Sequence, residues 1–162
     1  MQAGGLHQLK PAQGAGSARL LVGLDVVEVS RVRESLHHFG ARYLRRLFSE
    51  AEIGYAMQGS DQCAERLAAR FAAKEAAIKA FSLSEIGVGW RDIEVCKQTD
   101  GACHLALYGR AAEQASRLGV TDLALSLSHD GNYAGAVVTA LCNAAAAEPA
   151  TPSKFLSQTH EP

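Results

Sequence analysis

Apolar and polar positions recur along this chain with two periods, and the switches between them mark out its elements. Leu20-Leu21-Val22-Gly23-Leu24-Asp25 is an apolar run ending in a carboxylate, which predicts a strand that delivers Asp25 to a sheet edge. A helix is expected over Ser30–His38. Ser49-Glu50-Ala51-Glu52 fits a capping box and starts a helix to about Met57. Asp61–Phe81 is alanine-rich, has no Gly or Pro, and predicts the longest helix. At about 100° per residue, Leu67, Phe71 and Ile78 fall on one stripe, with Glu75 between the last two. Strands are expected at Arg91–Cys96 and His104–Leu107, joined by a turn at Thr99-Asp100-Gly101. Gly109-Arg110 opens a further helix that stops at Gly119, a suitable C′ glycine. Leu123–His129 alternates, Tyr133–Leu141 is built of small residues, and Gly131-Asn132 lies between them, so a hairpin closes the chain. Helices crowd the first half and antiparallel strands the second, an α+β order.

The ends break this pattern. Residues 1–18 are Gly-, Gln- and Ala-rich and are expected to form a flexible extension; 143–162, with an alanine run and three prolines, are expected to be a disordered tail. One domain, 19–142, lies between. The chain has 162 residues, 48% hydrophobic and 20% charged, with a net charge of −1. That balance gives no global pull toward nucleic acid or an anionic membrane. No run reaches the roughly 18–20 apolar residues of a membrane span, and no signal-peptide layout opens the chain, so a cytoplasmic location is expected. Cys63, Cys96, Cys103 and Cys142 lack metal-binding spacing and read as reduced thiols. His37-His38 reads as exposed at a helix end.

Charge placement carries the chemistry. Glu75 sits on the apolar stripe of its helix, where an unpaired carboxylate would be costly, and Lys79 flanks it at i,i+4. This is either a surface ion pair or a site. Asp25 is either a turn-forming Asp at a strand end or a partner for Glu75. Two carboxylates joined by waters and substrate phosphate oxygens are a usual way to hold Mg²⁺. Such a site suits attack on a phosphoanhydride. Lys79 would then stabilise the departing phosphate or donate a proton to it. Glu75, or a water it orients, would activate a hydroxyl nucleophile. Lys74 reads by default as a solvated helix lysine. Arg31, Arg33, Arg42, Arg45 and Arg46 form either a solvated basic face or a dock for an acidic partner. His129 ends its strand on the apolar side; Ser126 and Ser128 face the other way.

Three segments in register resemble the holo-acyl-carrier-protein synthases, the short 4′-phosphopantetheinyl transferases. They are Gly23-Leu24-Asp25 with Arg31, Phe71-Ala72-Ala73-Lys74-Glu75-Ala76 with Lys79, and Ser126-Leu127-Ser128-His129. Trp90-Arg91-Asp92-Ile93-Glu94-Val95 adds to the likeness, which runs from about Leu20 to Leu141. The resemblance implies an antiparallel sheet packed on a long central helix, in a homotrimer with sites between subunits. It implies Mg²⁺-dependent transfer of 4′-phosphopantetheine from coenzyme A to a serine of an apo acyl carrier protein. Asp25, Glu75 and Lys79 would be catalytic, with Asp25 and Glu75 on the metal. Lys79, Ser82, Ser128 and His129 would bind coenzyme A, His129 from a neighbouring subunit. Arg31, Arg42 and Arg45 would dock the acidic carrier. Ser82-Leu83-Ser84 stands where the family carries Gly-Thr-Gly, so an altered phosphate loop is expected, with Gly87 and Gly89 placed to compensate. The rival readings are a non-catalytic relative that binds carrier or coenzyme A without turnover, and a general Mg²⁺–nucleotide module.

Overall fold

The computed structural model describes residues 18–59 and 62–143. The expectations for the extension and the tail lie outside these residues, apart from Ala18 and Asn143, which pair at the ends of two strands. The elements run β1 Ala18–Glu28, α1 Val29–Phe39, α2 Ala41–Leu47, α3 Glu50–Met57, α4 Cys63–Phe81, β2 Ile93–Lys97, β3 Cys103–Leu107, α5 Gly109–Arg117, β4 Val120–Asp130 and β5 Tyr133–Asn143. The expected α+β order holds. The strands form two antiparallel sheets rather than one: β1-β5-β4 and the separate pair β2-β3. Helix α2 has no counterpart among the elements that the sequence pattern predicts. It is seven residues long, and only Leu44 and Leu47 mark its buried side.

Strand β1 is longer than the apolar run suggested. It pairs with β5 from Ala18↔Asn143 to Glu28↔Tyr133. Asp25 therefore stands inside an edge strand, not at its end, and is not a turn residue. Its rung continues because the backbone ladder, not the side-chain pattern, decides where pairing stops.

Helix α4 packs across β1 and β5 through alanine. Ala72, Ala73, Ala76, Ala77 and Ala80 are buried, and they face Ala136, Val138 and Ala140 of β5. Of the stripe Leu67, Phe71 and Ile78, only Leu67 is fully buried; Phe71 and Ile78 are half-buried and pack against the core from its edge. Small side chains let helix and sheet approach closely. Gly23 shows how closely, since a Cβ there would lie 1.9 Å from the Ala76 carbonyl oxygen. Burial of alanine releases less energy per residue than leucine, but it permits this short spacing.

Lys74 corrects the sequence reading. It is fully buried, not solvated, and pairs with Glu52 at 2.9 Å. Its Nζ also donates to the carbonyl oxygens of Trp90 and Ile93. Glu52 in turn accepts from the backbone N–H of Val95 at 3.0 Å and completes the Ser49 capping box of α3. This one pair ties α3, α4 and β2 together, so neither charge is left unpaired in the interior.

The hairpin tip closes back on the start of α1. Asn132 accepts from the backbone N–H of Val29 through its carbonyl oxygen and from that of Ser30 through Oδ1. A residue of the β4–β5 turn thus caps a helix that lacks a side-chain cap of its own.

Candidate active site

Residues of a strand alternate faces, so Gly23 and Asp25 point the same way, toward α4. Gly23 brings the strand onto Ala76 and Ala80, and Asp25, two residues on, lies beside Glu75 and Lys79 of the same turn of α4. Lys79 Nζ donates to Asp25 Oδ1 at 2.7 Å and to the Leu24 carbonyl oxygen at 3.1 Å. The expected i,i+4 surface pair between Glu75 and Lys79 does not form; the lysine turns to the strand instead. Asp25, Glu75 and Lys79 line one cavity of about 720 Å³, with Glu28, Arg31, Tyr43, Phe71 and Tyr133 among its other walls.

The electrostatics follow from this crowding. Burial pushes the Glu75 carboxyl above the usual range, the Asp25 charge pushes the same way, and the Lys79 ammonium opposes both. The hydrogen bond to Asp25 holds Lys79 above the usual lysine range, so it remains a cation near neutrality. Two adjoining carboxylates, one of them disfavoured as a bare charge by burial and by its neighbour, are hard oxygen donors that fit a small divalent cation. Among the described residues no group of three or more His, Cys, Asp or Glu is arranged to hold a metal. A pair leaves positions for water and phosphate oxygens, as Mg²⁺ requires.

Arg31 joins this cavity. Its Nε donates to Glu28 Oε2 at 3.2 Å, and Glu28 is itself held by Ser30 and Asn132. Those hydrogen bonds, Ser30 first, hold the Glu28 carboxyl below the usual range against its burial. Arg42 lies in an adjoining groove of about 460 Å³, with Phe39, Tyr43, Arg46, Phe71 and Trp90. Arg45 is exposed and lines neither.

The other expected residues are elsewhere. His129 lines a second cavity of about 340 Å³, with Tyr55, Arg66, Arg70, Lys97 and Cys103. Ser82 and Ser128 are exposed and line none of these three cavities. Ser82 nevertheless does what the glycine-poor loop seemed to forbid. It adopts φ 55°, ψ 45° at the end of α4, the left-handed conformation usual for Gly. Gly87 also has a positive φ, 66°, and Gly89 does not. Arg110 Nη1 braces the loop by donating to the Ile86 and Gly87 carbonyl oxygens.

The second cavity holds the residues that sequence reasoning missed. Arg66 and Arg70 stand at i,i+4 on α4, an unfavourable like-charge spacing on a helix. With Lys97 they surround the Tyr55 ring at 5.0, 4.1 and 4.8 Å. That same-sign i,i+4 pair was the available signal. Burial pulls the Arg70 guanidinium below its usual range, with Glu52 opposing.

The chain's relatives agree with one another. The profile of the 4′-phosphopantetheinyl transferase superfamily matches residues 21–138. The holo-[acyl-carrier-protein] synthase of Koribacter versatilis is 44% identical over 117 residues, covering 72% of this chain and 93% of the relative. That of Anaeromyxobacter dehalogenans is 49% identical over 120 residues, covering 72% and 91%. The apo-ACPS structure from Chronobacterium ammoniagenes superposes with a TM-score of 0.69 at 35% identity, over 78% of this chain and 99% of that one. The ACPS–CoA complex from the same organism gives 0.66 at 36% identity, over 77% and 98%.

Proposed function

This chain belongs to the 4′-phosphopantetheinyl transferase superfamily, and from that premise we propose that it is a holo-acyl-carrier-protein synthase. It transfers the 4′-phosphopantetheine group of coenzyme A to a serine hydroxyl of an apo acyl carrier protein and releases adenosine 3′,5′-diphosphate. The observation that carries the reading is the meeting of Asp25, Glu75 and Lys79 in one cavity that Arg31 borders. A non-catalytic relative would have no use for that arrangement.

Asp25 and Glu75 are the residues that would hold Mg²⁺. When bound, the ion neutralises pyrophosphate charge and orients it for in-line attack. Lys79 stays protonated and supplies fixed positive charge to the departing phosphate, a role its Asp25 bond favours over proton donation. Glu75, or a water that it orients, is placed in the same cavity to receive the proton of the attacking serine. Arg31 at the mouth, and Arg42 and Arg46 along the adjoining apolar groove, steer an acidic carrier to the site.

His129 belongs to a different cavity from Glu75, so within one chain the two do not share a site. A homotrimer reconciles them. Leu20, Val22, Leu24 and Val26 make the outer face of β1 apolar, and each is more than half exposed. An exposed apolar stripe of this kind suits burial against further copies of the chain. The second cavity of one subunit then supplies Arg66, Lys97 and His129 to the coenzyme A phosphates beside a neighbour's Asp25 and Glu75.

The test is direct. Protein, coenzyme A, Mg²⁺ and apo carrier are mixed, and the carrier is weighed for the phosphopantetheine gain. Wild type is expected to convert it, while Asp25→Ala and Glu75→Ala, folded by circular dichroism, are expected not to. Full turnover in either variant removes that residue from the metal site, and no turnover in wild type favours the binding-only relative.

A further inference from the structure

We infer that Tyr55 is the positioning residue of an anion pocket, its ring gathering Arg66, Arg70 and Lys97 into one cluster that takes a phosphate group. The inference rests on the coenzyme A reading of the second cavity and goes further, by naming what holds the cavity's cations in place.

Three cations share one aromatic ring. The guanidinium carbons of Arg66 and Arg70 lie 5.0 and 4.1 Å from the Tyr55 centroid, and Lys97 Nζ lies 4.8 Å from it. The ring's hydroxyl accepts from Lys97 Nζ at 2.9 Å, and the Tyr55 carbonyl oxygen accepts from Arg66 Nη1 at 3.2 Å. Arg66 Nη2 donates to Gln62, and Arg70 Nη1 donates to the Arg66 carbonyl oxygen. Among the described residues none of the three makes an ion pair within 4.0 Å; the ion pairs there are Arg31–Glu28, Lys74–Glu52 and Lys79–Asp25. Glu65 lines the cavity but binds none of them.

Like charges held this close repel one another, and isolated long side chains would swing apart. The negative face of one ring is what each of them shares. Arg70 is 97% buried (3% exposed), and its Nε has no hydrogen-bond partner at all. A buried guanidinium with a free donor, two further cations and His129 around one cavity make a preorganised site for a group with several acceptor oxygens and more than one negative charge. A phosphomonoester, such as the 3′-phosphate of a nucleotide, has that chemistry. Tyr55 itself touches no phosphate in this scheme; it sets the cations' positions. Tyr55 sits on α3, which the Glu52–Lys74 pair fixes to α4, so ring and arginines are held in one frame.

The experiment uses the full-length protein, adenosine 3′,5′-diphosphate as the probe in calorimetry, and steady-state kinetics with coenzyme A and apo carrier. Arg66→Ala and Lys97→Ala test the cavity. Each is expected to weaken the probe and raise KM for coenzyme A about tenfold, the order of one charge-assisted contact, with KM for carrier unmoved. Tyr55→Leu tests the ring and is expected to give a similar rise, while Tyr55→Phe, which keeps the ring, loses less than about threefold. Graded fluorination of Phe at position 55 drains the ring's negative face without changing its size. It is expected to raise KM stepwise at constant Tm, which also decides the matter should Tyr55→Leu not fold. If the cation variants weaken binding and the ring series does not, the Tyr55 inference falls and the cavity reading stands. If neither cation variant changes KM for coenzyme A or probe affinity, both fall. A ring series that moves Tm and carrier KM together marks Tyr55 as structural only.

Discussion

Two residues in this protein hold a conformation or a charge that costs the folded state stability. Ser82 ends α4 with φ 55°, where a Cβ is strained. Ser82→Gly is expected to stabilise the protein by about 0.5–1 kcal/mol, net of the greater freedom of unfolded glycine. That is a Tm rise of roughly 2–5 °C by calorimetry for a domain of this size. An unchanged or lower Tm would mean that the serine is not strained. Glu75 carries a different cost. Its folded-state pKa lies above the ordinary value of 4.5 because burial and Asp25 disfavour its charge. The penalty is absent below about pH 4.5, where both states are protonated, and is fully present above the raised pKa. In metal-free protein Glu75→Gln is therefore expected to raise Tm at pH 7, with the gain shrinking as pH falls toward 4.5. A gain independent of pH would disconnect it from the carboxyl's titration. Activity should fall in the same variant, a stability–function trade-off.

Among the elements, α4 and β1 decide most. Their spacing depends on an alanine face meeting one glycine. Gly23→Ala would place a methyl 1.9 Å from the Ala76 carbonyl oxygen and 2.9 Å from the Ala80 backbone nitrogen. These are backbone atoms of a packed helix, so helix or strand must shift. The expected cost is about 3 kcal/mol, the upper part of the overpacking range, or a Tm fall of roughly 10 °C. The shift also carries Asp25 away from Glu75 and Lys79. Transfer assayed well below the variant's Tm should thus drop at least tenfold, although no active-site side chain has changed. Near-normal turnover in a destabilised Gly23→Ala protein would show that the two carboxylates do not need this close spacing.

For the whole molecule, the separation of His129 from Glu75 is the informative fact. If sites form between subunits, Glu75→Ala and His129→Ala are defects in different halves of one site. Mixed trimers contain some interfaces where a wild-type Glu75 half meets a wild-type His129 half. Co-refolding the two variants is expected to restore part of the activity that each lacks alone, with mixing verified by mass. Such a contact would be heterologous and would close as a ring. A monomer by analytical ultracentrifugation, or no rescue despite proven mixing, would argue against shared sites.

Local order was legible before the structure. The Ser49–Glu52 capping box, the Gly119 helix stop, the Gly131-Asn132 hairpin and the extent of α4 all rest on contacts between near neighbours in sequence. The Gly23-Leu24-Asp25 and Glu75–Lys79 spacings marked the residues that meet in the main cavity, because strand and helix periods dictate faces. Partner choice was not legible. Lys74 and Lys79 lie five residues apart on one helix. One pairs with Glu52 in the interior, the other with Asp25 at a cavity wall. The anion cluster likewise joins Tyr55 of α3, Arg66 and Arg70 of α4, and Lys97 of β2. Periodicity says which face a side chain takes. Only the packing of one element on another says whether that face meets a carboxylate, an aromatic ring or water, and that decides the chemistry of a charge.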